Sequence, residues 1–162
     1  MTPIPEKTNA LLKAQYASER KASATYSAIS NALSSTPFKG FAKYFKEEAE
    51  SELQHSFRFE KYLQDRNYAP DMFSIEAMSY GQLWPIQAVK LACDLEMQVT
   101  ALINAIYAQA HLDGDYNTCQ FLQYFLEEQV KSEAELKQLE LELTLAADNS
   151  AALLYLDERV GK

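Results

Sequence analysis

The chain has 162 residues, 48% of them hydrophobic, with only four glycines and five prolines and a formal charge of −8. That is too apolar for a disordered chain and too poor in turn residues for a sandwich or barrel of short strands, so an all-α class is expected. The acidity argues against general affinity for nucleic acid or an anionic membrane surface.

Taken in chain order, a first helix is predicted over about 6–34, after Pro3 and Pro5. Thr36-Pro37 stops it, because the residue before a proline disfavours the helical region. Proline suits a first helical turn, so a second helix is predicted from Pro37 to about Arg66. Residues 67–83, NYAPDMFSIEAMSYGQL, keep no helical period and read as a long connection. A third helix is predicted over about 84–112, DGD at 113–115 supplies a turn, and a fourth covers about 116–146. The segment near 150–160 reads as a short fifth helix.

Short links make helices one and two, and three and four, antiparallel hairpins. The connection can span about 55 Å at roughly 3.3 Å per residue. A 28-residue helix is only about 42 Å long. The connection can therefore return along the whole bundle and leave helices two and three parallel. An up-down four-helix bundle with one long crossover is expected, as one domain over 1–162.

Cys93 and Cys119 have no CxxC spacing and read as reduced thiols. There is no basic segment followed by an apolar core at the start, and no run of 18 apolar residues anywhere. A cytoplasmic location, no membrane partner and no nucleic-acid partner are expected.

Steps of three and four residues pick out the inward face of each helix. On helix one the face runs Leu12, Gln15, Glu19, Ala22, Tyr26, Ile29, Leu33, and on helix two Ala42, Phe45, Ala49, Glu52, Ser56, Phe59, Leu63. On helix three it runs Val89, Ala92, Glu96, Val99, Ile103, Ile106, Ala110, and on helix four Leu122, Phe125, Gln129, Ser132, Leu136, Leu139, Leu143. Each face is mostly apolar and carries a carboxylate or amide near its midpoint. Glu19 lies as far before the first turn as Glu52 lies after it, so the hairpin brings both to one height. Glu96 and Gln129 sit at similar depths in their own helices.

Three buried carboxylates at one level repel strongly unless protonated or met by cations. His55, three residues after Glu52, leaves the same side of its helix, so the pair can offer one metal an oxygen and a nitrogen. These positions point to a pair of divalent cations. On residue type alone, Tyr26 reads as a core tyrosine and His111 as a cation near a helix C-terminus.

Several stretches resemble the non-haem ferritins over nearly the whole chain. They are SERKASATYSAI around Glu19 and Tyr26, FKGFAKYFKEEAESELQHSFRFEKYLQDR around Glu52 and His55, DLEMQVTALINAI around Glu96, and DYNTCQFLQYFLEEQVKSE around Gln129. ALLYLDERV resembles the family's short fifth helix. The resemblance implies a ferritin-like fold and a dinuclear centre that oxidises Fe(II) with dioxygen or peroxide.

By position, Glu19, Glu52 and His55 would bind the first iron, with Glu52 bridging, and Glu96 would bind the second. Gln129 falls near the second iron, often acting through water, and Tyr26 beside a ligand carboxylate. Where some bacterial ferritins carry a third iron site, Ser51, Lys131 and Ser132 stand here. Only Glu128 remains acidic, a candidate transit site. Gln129 to Ser132 does not match the second ExxH of bacterioferritins, and no haem is expected. Gln54 and Phe57 replace two inner-surface acids of animal ferritins.

The resemblance implies a homo-oligomeric shell of 24 subunits that stores ferric mineral. The alternatives are a di-iron oxidase or peroxide scavenger that does not store iron, and an interaction module that binds none.

Overall fold

The computed structural model describes residues 3–162. It contains α1 (Glu6–Ser34), α2 (Lys39–Asp65), α3 (Pro85–Leu112), α4 (Tyr116–Ala146) and α5 (Ser150–Val160), with no strand among the described residues. Residues 66–84 form the crossover.

Side-chain bonds between helices set the register. Ser23 and Ser30 of α1 donate to the carbonyls of Ala49 and Ala42 of α2, so the two run antiparallel. Thr8 of α1 donates to Asp113 just past α3, while Tyr26 donates to Glu96, which makes α1 and α3 antiparallel. Thr100 donates to Glu133, and Gln123 to the hydroxyl of Tyr107, so α3 and α4 are antiparallel too. The crossover returns along the α1/α3 side, where Phe73 packs edge-on against Tyr16 and Tyr68 donates to the carbonyl of Ile4.

α2 begins at Lys39, not at Pro37. Pro37 and Phe38 are used in the turn. Thr36 Oγ1 accepts from the Phe38 amide, and the buried Phe38 ring meets Trp84 edge-on at 5.4 Å. The first α2 amides are capped from elsewhere: Asp157 of α5 accepts from Gly40 N–H at 3.0 Å and Phe41 N–H at 2.8 Å. Two acceptor oxygens on orphan helical N–H groups make a charged cap at the positive end of the helix.

The apolar core is in two parts. One gathers Tyr26, Ile29 and Leu33, Phe41 and Phe45, Val89, and Leu139 and Leu143. The other gathers Leu12 and Tyr16, Phe59 and Leu63, Ile103 and Ile106, and Leu122 and Phe125. The polar midpoints of all four helices lie between them. Of the inward positions read from the sequence, only Ser132 is not fully buried.

Candidate metal centre

The break between the two core clusters is a buried polar layer. α1 brings Gln15, Glu19 and Tyr26; α2 brings Glu52 and His55; α3 brings Glu96; α4 brings Gln129. Glu19 is 1% exposed, Glu52 4%, His55 9%, Glu96 1% and Gln129 5%. Glu19, Glu52 and His55 can each turn one ligand atom to a common point, all within 4.8 Å of one another. His55 Nδ1 lies 3.3 Å from Glu52 Oε2, as one helical turn of spacing requires. The imidazole is held edge-on by Tyr124 and Phe125.

Glu96 stands outside that trio. Its Oε1 accepts from the Tyr26 hydroxyl and its Oε2 from Gln129 Nε2 at 2.8 Å. Gln129 Nε2 also donates to Thr100 Oγ1 at 3.0 Å, and Thr100 in turn donates to Glu133 at 2.5 Å. With its amide hydrogens directed to Glu96 and Thr100, Gln129 has only its carbonyl oxygen left for a metal or a metal-bound water. Glu96 also lines a groove of about 720 Å³ between α3 and α4, together with Cys93, Met97, Glu133 and Lys137.

Electrostatically the layer is short of positive charge. Among the described residues no lysine or arginine is ion-paired to Glu19, Glu52 or Glu96. Burial raises the Glu19 carboxyl well above the ordinary range, and its contact with Glu52 raises it further. Burial also lifts Glu52 to about 7. Glu19 Oε2 receives no protein hydrogen bond, so a proton shared with Glu52 is what the protein alone can offer it. Burial, then Glu96, push the Tyr26 hydroxyl upward, so it stays a donor.

Four neighbours were not singled out as site residues in the sequence: Gln15, Glu48, Thr100 and Glu133. Each lies four residues from one that was, and that spacing is the signal that would have found them. Glu48 is half-buried and lifted to about 7, first by burial and then by Glu96 and Glu135. Glu128, by contrast, is paired with Lys131 at 2.9 Å.

A long-helix bundle whose core is interrupted at mid-height by carboxylates and an imidazole belongs to the class that holds transition metals between its helices. Comparison with known proteins makes this specific. The Ferritin-like domain family matches residues 9–144, and the chain belongs to that family. Ferritin BfrB of Mycolicibacterium smegmatis is 33% identical over 131 residues, covering 81% of this chain and 72% of the relative. The bacterial non-heme ferritin of Bacteroides fragilis is 25% identical over 159 residues, covering 98% and 99%. An open pore ferritin from the hyperthermophilic archaeon Archaeoglobus fulgidus superimposes with a TM-score of 0.93 at 25% identity, covering 98% of each chain. At the level of the family, the association is with iron binding and iron storage.

Proposed function

We propose that this chain is a ferritin subunit that oxidises Fe(II) and stores the ferric product. Glu19, Glu52 and His55 take the first iron, and Glu52, on the shared side, bridges to a second iron held by Glu96. Gln129 reaches the second iron with its carbonyl oxygen, directly or through water, and Tyr26 keeps Glu96 in place. Carboxylate oxygen and imidazole nitrogen suit Fe(II), and anionic oxygen favours Fe(III) more strongly because of its higher charge.

Each Fe(II) gives up one electron, and dioxygen accepts both together with two protons, leaving as hydrogen peroxide. Fe(III) passes through Glu48 more readily than Glu128, since Glu48 faces the layer and Glu128 is engaged by Lys131. The ferric product collects in a hollow homo-oligomeric shell of 24 subunits in the cytoplasm.

The observation that carries this reading is the buried trio of Glu19, Glu52 and His55 without a cationic partner. The test is anaerobic Fe(II) loading followed by air, with oxidation followed by absorbance. Replacement Glu52→Ala should slow oxidation at least ~10-fold, the usual size of a damaged metal shell. Oxidation by E52A at the native rate would overturn the reading.

A further inference from the structure

We propose that Gln15 is a positioning residue for the first cation: its amide holds one oxygen of Glu19 so that the other is presented to the metal. This rests on the iron-binding reading above and adds a residue to it. Gln15 is fully buried, and its Nε2 donates to Glu19 Oε1 at 2.6 Å, one turn along α1. With Glu19 and Glu52 both ionised, that leaves two oxygens in the same layer, Glu19 Oε2 and Gln15 Oε1, buried and without a hydrogen-bond donor. They are two of the three such side-chain oxygens among the described residues; Asn9 Oδ1, nearer the start of α1, is the third.

The arrangement is poor for an empty core. The amide oxygen of Gln15 is a buried acceptor without a donor, which is costly. It is well suited to a hydrated cation. The cation supplies charge to Glu19 Oε2, and water carried on it supplies hydrogens to Gln15 Oε1. With a cation bound and Glu19 ionised, the amide cannot simply turn round, because its oxygen would then face a carboxylate oxygen. Fixing one carboxylate oxygen limits Glu19 to presenting the other, and groups placed behind metal ligands commonly govern ligand geometry and affinity.

The test uses the assembled protein freed of metal and titrated anaerobically with Co(II) alone, read by equilibrium dialysis and by the visible bands of bound Co(II). Replacement Gln15→Met should weaken binding of the first Co(II) by about 10- to 100-fold and change its visible bands. The metal-free variant loses the orphan oxygen of Gln15 but leaves Glu19 Oε1 without its donor, so its unfolding temperature should stay close to native. A role in packing alone predicts the reverse: lower stability with native affinity and bands.

Native affinity and bands in Q15M would overturn the proposal. Should Q15M not fold, Q15N, whose amide falls one methylene short of Glu19, is judged by the same two readings. Glu19→Ala separates this proposal from the site itself. If E19A binds Co(II) as the native protein does, the reading of the site fails. If E19A loses binding while Q15M keeps it, only the role of Gln15 falls.

Discussion

At the scale of single residues, the site is held together by what is missing from it. Glu52 is lifted from 4.5 to about 7 chiefly by burial. Between those values the folded chain holds a proton that the unfolded chain has lost, so stability falls as pH rises through that window. For one carboxyl the difference is on the order of 3 kcal/mol at most. Metal-free protein should therefore melt at lower temperature at pH 7.5 than at pH 5. Saturating Zn(II) or Co(II), which replaces the buried protons, should remove most of that difference. Thermal unfolding at the two pH values, with and without metal, decides it, and a flat profile in metal-free protein would contradict the charge balance described above. The same residues show how much of the site was legible. Glu19, Glu52, Glu96 and Gln129 stood out because each breaks an apolar stripe. Gln15 lies on such a stripe too, but a sequence does not show that its carbonyl lacks a donor. Glu48, Thr100 and Glu133 lie off the stripes; their four-residue spacing from the site residues hints at them, and only packing shows what surrounds them.

At the scale of elements, α5 acts as the missing cap of α2. Asp157 meets the Gly40 and Phe41 amides, and the approach is so close that a Cβ on Gly40 would lie 1.8 Å from the Asp157 carbonyl oxygen. A Cβ on Gly161 would come within 2.6 Å of the Gly40 Cα. Asp157→Ala should cost about 1–2 kcal/mol, the size of a lost N-cap. Gly40→Ala should cost more, because α5 must move away. Both should quicken proteolysis around residues 147–149 while leaving Fe(II) oxidation near native, since the polar layer lies at mid-helix. Slower oxidation in D157A at native stability would show that the cap reaches the site. This contact also explains the late start of α2. Proline at 37 marked a plausible first turn, but the acceptors that receive the first amides lie 117 and 116 residues away in sequence. The end of α4 near residue 146 was legible, but the conformation that closes it was not. Ala147 takes φ 44°, a conformation glycine adopts more easily, and nothing in its residue type announces it.

At the scale of the whole molecule, large apolar side chains remain exposed: Leu145 at the end of α4, Leu154 and Tyr155 on α5, and Met72 on the crossover. Exposed apolar surface of this kind commonly marks contact with other chains. Light scattering should accordingly find a particle some two dozen times the 18.4 kDa chain; a monomer or dimer would end the storage reading while leaving the metal centre open. No helix among the described residues is long and apolar enough to cross a membrane. The sequence by itself determined the all-α class, the order of the helices and which face of each turns inward. Those properties follow from periodicity and chain length, which are local. The tertiary structure alone decided which oxygens have donors and which helix caps which. Those depend on distances between segments far apart in the chain, and on burial, which makes an unpaired carboxylate expensive and a cation welcome.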